Sequence, residues 1–192
     1  MNSLRTRYFR AVLVAFTVAF AVYACFAGVG LTPRIVNQES FQVVGITAST
    51  NNQKESGPDA IIGKLWQQFL GGGLLNRIPD RVDQSIIAVY TDYATDANGQ
   101  YTFVLGAKVK PIPTPTLPVG MVVKLVPAGR YAVFTSERGP VAKVVIETWK
   151  QVLSYYKSPA NGQRAYHADF EVYDQRAADP NNAQVDIYIG LK

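Results

Sequence analysis

At 192 residues, 48% hydrophobic and 17% charged, the chain is long enough for one ordinary domain and apolar enough to bury a core, which excludes disorder. The formal net charge of +5 invites a nucleic-acid reading, but Arg5, Arg7, Arg10 and Arg34 account for four of the 19 basic residues and no acid accompanies them before residue 39. The remaining 15 basic residues face 14 acids over residues 39–192, and a segment at +1 has no electrostatic footprint for a phosphate backbone, so direct nucleic-acid binding is not expected.

Arg5, Arg7 and Arg10 precede an uncharged run over residues 11–31, rich in Ala, Val and Phe. As a helix that run would span roughly 30 Å, enough for the hydrocarbon of a bilayer. The pattern equally fits a signal peptide with a charged start and an apolar middle. Cys25 ends Val22-Tyr23-Ala24-Cys25, which resembles a bacterial lipobox except at Tyr23. Residues 1–33 are therefore expected to be a signal or membrane anchor, with the arginines inside and the domain extracytoplasmic, on the periplasmic side. A single-pass span, a lipoprotein at Cys25 and simple cleavage all remain open.

Residues 34–40 read as a linker and residues 41–192 as the domain. Residues 41–48 pattern as a strand, followed by a loop rich in Ser, Asn and Gly. Pro58 and Asp59 suit the first turn of a helix, and Ile61, Ile62, Leu65, Trp66, Phe69 and Leu70 repeat with the spacing of one helical face. Gly71-Gly72-Gly73 stops it. Residues 86–93 and 100–109 read as strands around a turn at Asp96-Ala97-Asn98-Gly99. The proline-rich stretch 110–118 is a stiff connector. Strands are expected over 121–126 and 131–135. A helix opens at Gly139-Pro140 with Val141, Val144, Val145, Thr148, Trp149, Val152, Leu153 and Tyr156 on one face. Strands over 165–173 and 185–191 close the chain.

The two halves repeat one order of strand, helix and hairpin. Trp66 and Trp149 lie 83 positions apart on equivalent helical faces, as do Tyr90 and Tyr173 in equivalent strands; Gly106 and Gly190 lie 84 apart. The fold class is therefore α+β, with duplicated strand–helix–strand–strand units forming an antiparallel sheet, two helices and a central, aromatic-lined cleft where a ligand would bind.

Chemistry is sparse. One histidine (His167) and one cysteine cannot build a Cys/His metal site, and no Gly-x-Ser-x-Gly elbow accompanies His167. The glycines at 71–73 follow a helix rather than open one, so they cradle no phosphate. No cofactor, metal or catalytic set is expected. In Asp169-Phe170-Glu171-Val172-Tyr173, strand alternation puts Asp169, Glu171 and Tyr173 on one face. A carboxylate among aromatics suits a cationic or hydrogen-bond-donating ligand, or else simply keeps a sheet face solvated.

Several segments stand out together: Leu65-Trp66 with Phe69, Ala88-Val89-Tyr90-Thr91-Asp92-Tyr93, Gly99 and Tyr101-Thr102 with Leu105-Gly106, Val126-Pro127-Ala128-Gly129 with Tyr131-Ala132-Val133-Phe134, Gly139-Pro140 with Trp149, Phe170-Glu171-Val172-Tyr173-Asp174 and Val185-Asp186-Ile187-Tyr188-Ile189-Gly190. In this order and spacing they resemble the GyrI-like, or AraC-type effector-binding, domain of bacterial multidrug-responsive transcription activators. The resemblance implies small lipophilic, aromatic or cationic ligands held between the repeats. It carries the family's glutamate to Glu171 and its cleft residues to Trp66, Tyr90, Tyr93, Phe134, Trp149 and Tyr173. In the first repeat Ala88 occupies the position of Glu171, so the site is asymmetric in charge. The expected function is non-catalytic binding of such a ligand by a membrane-tethered sensor or scavenger. A hydrolase of strained-ring compounds, with Glu171 as base and Tyr90 or Tyr173 assisting, and a protein-inhibitor module are the alternatives. The oligomeric state stays open.

Overall fold

A computed structural model describes residues 32–111 and 117–192. Eleven strands and α-helices follow in chain order: β1 (Arg34–Gln38), β2 (Phe41–Thr50), α1 (Asn52–Glu55), α2 (Ile62–Gly71), β3 (Ile86–Thr91), β4 (Tyr101–Val109), β5 (Val122–Val126), β6 (Gly129–Thr135), α3 (Val141–Tyr155), β7 (Arg164–Tyr173) and β8 (Asp186–Leu191). All strands join one antiparallel eight-stranded sheet in the order β1-β6-β8-β7-β3-β4-β2-β5.

That order, combined with the loop lengths, dictates the shape. Only Glu39 and Ser40 separate β1, at one edge, from β2, next to the opposite edge. Three Cα steps reach at most about 11 Å, whereas six strand spacings in a flat sheet come to roughly 29 Å. Pro127 and Ala128 impose the same demand on β5 and β6. The sheet must therefore curl until its margins approach. Phe41 of β2 and Phe170 of β7, three places apart in the sheet, duly meet edge to face at 5.3 Å across the inside of the curl. Val43, Ile87, Val89, Val104, Tyr131 and Ala168 fill the same interior. Alternate residues of these strands point outward, where the helices cover them.

The apolar stripes expected from the sequence form the inner faces of α2 (Ile62, Leu65, Trp66 and Phe69 buried) and α3 (Val141, Val144, Thr148 and Val152 buried). α2 starts later than Pro58-Asp59 suggested. Its free amides are taken by a distant carboxylate: Glu55, at the end of α1, accepts hydrogen bonds from the Ile61 and Ile62 amides at 3.1 Å or slightly more, and its Oε1 also accepts from Thr50 Oγ1 at 2.5 Å. An acid there complements the helix dipole as well as capping it.

Two expectations need correction. Arg34–Gln38, read as linker, is a strand paired residue for residue with β6, from Arg34 opposite Val133 to Gln38 opposite Gly129; as an edge strand it is too exposed to show clean alternation. The signal or membrane segment and Cys25 fall outside the described residues. Among the described residues no helix is long and apolar enough to cross a membrane, and the membrane-anchored, extracytoplasmic placement is corrected on that ground. α3, at 15 residues, would span only about 22 Å and has a polar face.

Gly45 and Gly106 face each other across β2 and β4, where the backbones press together. A Cβ on Gly45 would stand 2.1 Å from the Leu105 carbonyl oxygen, and one on Gly106 2.0 Å from that of Val44. Backbone cannot step aside as a side chain can. Gly45→Ala is expected to cost about 2–4 kcal/mol in urea unfolding, while Gly57→Ala, whose added Cβ meets nothing closer than 3.6 Å, is expected to stay within about 0.5 kcal/mol.

Candidate functional site

The pseudo-twofold axis passes between β3 and β7. There Ala88 stands directly opposite Glu171, with Tyr90 opposite Asp169 and Ile86 opposite Tyr173. An offset of 83 residues maps each pair onto its mirror, so the sheet centre is where the two repeats meet. The helices reproduce the relation. Trp66 of α2 packs edge-on against Tyr173 at 4.8 Å, and Trp149 of α3 packs edge-on against Tyr90 at 5.2 Å.

Between these two aromatic pairs lies a cavity of about 780 Å³. Ile62, Trp66, Leu70 and Leu75 line it from the first repeat, and Val141, Val145, Ile146 and Trp149 from the second. Tyr90, Glu171 and Tyr173 contribute from the sheet. Asp83, Gln84 and Ser85, ahead of β3, and Asp174 and Gln175, after β7, add polar groups.

Glu171 is 1% exposed. Its Oε1 accepts from Trp149 Nε1 at 2.6 Å and Tyr90 Oη at 2.9 Å, and its Oε2 accepts from Tyr173 Oη at 2.7 Å. No ion pair among the described residues involves it. Burial pushes the carboxyl above the ordinary glutamate value, and the bonds from Trp149, Tyr173 and Tyr90 pull it only part of the way back. Burial first, and then the Glu171 charge, drive Tyr90 and Tyr173 well above the usual tyrosine value, so both hydroxyls remain donors.

Of the residues expected at the site, Glu171, Trp66, Tyr90, Trp149 and Tyr173 converge on this cavity. Tyr93 and Phe134 do not, and those two assignments are corrected. Tyr93 follows Asp92, whose φ of 52° breaks the strand alternation. Its hydroxyl donates instead to Asp169 Oδ2 at 2.7 Å, in a separate buried cluster where Arg164 pairs with the same oxygen at 2.6 Å. Phe134 packs with Val152, Ile187 and Tyr155 in the core beneath α3. The sequence did not point to the loop at 83–85 or to Asp174, Gln175, Ala177 and Ala178, because no periodicity marks a loop as a wall.

Among the described residues no cluster of His, Cys, Asp and Glu could hold a metal ion. What the arrangement offers is one buried anion, hydrogen-bonded by dipoles, inside apolar and aromatic walls.

A carboxyl raised by burial favours the folded state in its protonated form. Its stabilising contribution is complete below the unfolded value, near 4.5, and is lost as pH rises through the higher folded value. Ligand-free protein is thus expected to lose stability across that interval, and Glu171→Gln, whose carbonyl can still accept from Trp149 and Tyr90, to flatten the slope. Urea midpoints of both proteins against pH check this.

Comparison with known proteins agrees with the geometry. The family of Cass2, integron-associated effector-binding proteins, matches residues 34–191. YobU of Bacillus subtilis (strain 168), provisionally described as a transcriptional regulator, is 36% identical over 156 residues, covering 77% of this chain and 90% of its own. The integron cassette protein VCH_CASS2 of Vibrio cholerae is 31% identical, with a TM-score of 0.66 over 83% of this chain and 95% of that one. The structure of SAV2435 bound to tetraphenylphosphonium shares the fold at a TM-score of 0.67, with 16% identity over 83% of this chain and 93% of that one. The α+β fold expected from the internal repeat is the fold these structures share, and the chain belongs to the Cass2 family of GyrI-like effector-binding proteins.

Proposed function

We propose that the domain binds, without transforming, a small lipophilic ligand that carries positive charge, with Glu171 as its counter-ion. The observation that carries this reading is a carboxylate with no cationic partner among the described residues, buried in the wall of a mainly apolar, aromatic-lined cavity. A structural anion is normally paired; one left for a ligand is held by neutral donors until the ligand's charge arrives. At about 780 Å³ the cavity is of the size that encloses a drug-sized molecule. Apolar burial would supply most of the affinity and the carboxylate the selection for charge. That a protein of the same fold has been seen with tetraphenylphosphonium supports the reading by precedent.

The alternative of a hydrolase finds less support. Tyr90 and Tyr173 are held as donors to Glu171, so neither is poised to give its proton to a substrate. Direct nucleic-acid binding, not expected from the near-neutral charge of residues 39–192, is not part of this reading, although a transcriptional regulator stands among the relatives.

Titration of the purified chain with tetraphenylphosphonium, followed by tryptophan fluorescence, tests the proposal. Saturable quenching is expected, weakened about 10-fold or more in Glu171→Gln. Because only the ionised carboxylate attracts a cation, affinity is expected to fall as pH drops through the raised Glu171 value, above the ordinary carboxylate range. Equal affinity in the mutant, or none in a folded wild type, would sink the reading.

A further inference from the structure

The Glu171 carboxylate presents about four lone-pair positions, two on each oxygen. The protein fills three of them itself. Oε1 takes both Trp149 Nε1–H and Tyr90 Oη–H, and Oε2 takes Tyr173 Oη–H. One position on Oε2 remains, on a group that lines the cavity. The other acids lining the cavity differ in kind. Asp174 is already bound by Arg176, whose Nε donates to both of its oxygens at 3.0 Å, and Asp83 is exposed. At the aromatic centre of the site a ligand therefore meets a single unoccupied carboxylate position, with the neutral Tyr90 and Tyr173 hydroxyl oxygens as the weaker acceptors beside it.

We infer that this count selects the degree of substitution at the ligand's nitrogen: the site takes a protonated tertiary amine, which brings one N–H to the one open acceptor. The inference rests on the cation-binding reading above and adds to it a donor rule. A quaternary ammonium or phosphonium has the charge but no N–H. It covers the last lone pair of a buried carboxylate with alkyl or aryl hydrogens and leaves that position unmet, as well as holding the charges farther apart. A primary ammonium has three N–H groups and finds one charged partner for them. The others are left to neutral phenol oxygens or to the apolar walls built by Ile62, Leu70, Val145 and Ile146. The tertiary amine alone matches its donors to the open carboxylate position, and its remaining substituents are the apolar groups those walls favour. Affinity should thus rise and then fall along a methylation series, an order that neither hydrophobicity nor charge alone produces, since both would favour the quaternary member or leave the series flat.

Three probes sharing one aromatic body test this: naphthylmethylamine, its N,N-dimethyl derivative and its N,N,N-trimethyl derivative, all cationic near neutral pH. Binding to the full chain is measured by calorimetry. The dimethyl compound is expected to bind about 10-fold more tightly than either of the others. Glu171→Gln should weaken all three and compress the differences. Tyr173→Phe removes the donor on Oε2 and opens a second acceptor position, so the primary amine should gain on the tertiary one in that variant. Affinity that climbs steadily to the trimethyl compound, with all three weakened by Glu171→Gln, would overturn the donor rule and leave cation binding standing. A primary amine bound most tightly by the wild type would also overturn it. No binding of any probe to folded protein would remove both.

Discussion

A carboxylate taken out of water without a counter-charge must be held by dipoles, and the centre of this fold is arranged around that requirement. Three neutral donors reach Glu171 from three elements: Tyr90 from β3, Trp149 from α3, and Tyr173 from the same strand two residues on. Each also takes part in, or is a repeat-mate of, the aromatic pairs that separate the helices from the sheet. Removing any one donor would leave the anion worse satisfied and would disturb the aromatic packing, so charge and shape are coupled. The cavity exists because α2 and α3 stand apart over the sheet centre, each resting on an aromatic pair.

Internal duplication explains both the placement and its asymmetry. The offset that relates the repeats maps the facing pairs of β3 and β7 onto one another, which brings Ala88 directly opposite its own repeat-mate, Glu171. Two carboxylates at those positions would sit about 5 Å apart at Cβ with their charges unscreened. Only one half can carry the acid, and the small alanine opposite leaves room for it. The same logic shows in the helices: Trp66 and Trp149 make equivalent ring contacts, yet only Trp149 donates to Glu171. A symmetric scaffold thus presents a site with a single charged pole. The exchange of β1 and β5, each of which pairs with the other repeat, ties the halves into one curled sheet and fixes how the two sides of the cleft face each other.

What was legible in the sequence was whatever periodicity records. The helical stripes, the strand alternation and the offset of 83 residues put Trp66 and Trp149 on equivalent helical faces, Tyr90 and Tyr173 in equivalent strands and Glu171 on one strand face with Tyr173, while the family resemblance is what carried them to one cleft. Periodicity fails where the chain leaves regular structure. Tyr93 was carried by resemblance into the cleft although Asp92, with its positive φ, turns it toward Asp169. Phe134 does lie on the helix side of the sheet, but under the far flank of α3, and parity alone cannot separate the cleft from the core beside it. β1 went unseen because its edge position leaves Ile35 half exposed and blurs the alternation. The capping of α2 by Glu55 needed a contact through a separate short helix, which no local signature announces.

The comparison that best explains Glu171 is with its neighbour. Asp169 lies two residues earlier on the same face of β7 and is just as buried. It is fully compensated: Arg164 and Tyr93 donate to Oδ2, and the Gly190 amide donates to Oδ1 at 2.9 Å. The Arg164 guanidinium stacks over Tyr166 at 4.5 Å and lies 5.9 Å from the Trp149 ring, on which the Glu171 site depends. One strand face thus carries two buried acids, and the fold supplies a cation to only one. A protein that needed both for stability had an arginine within reach of the same tryptophan. That the second acid lines a cavity instead, ringed by neutral donors, is the ground on which the proposal of a counter-charge from outside rests.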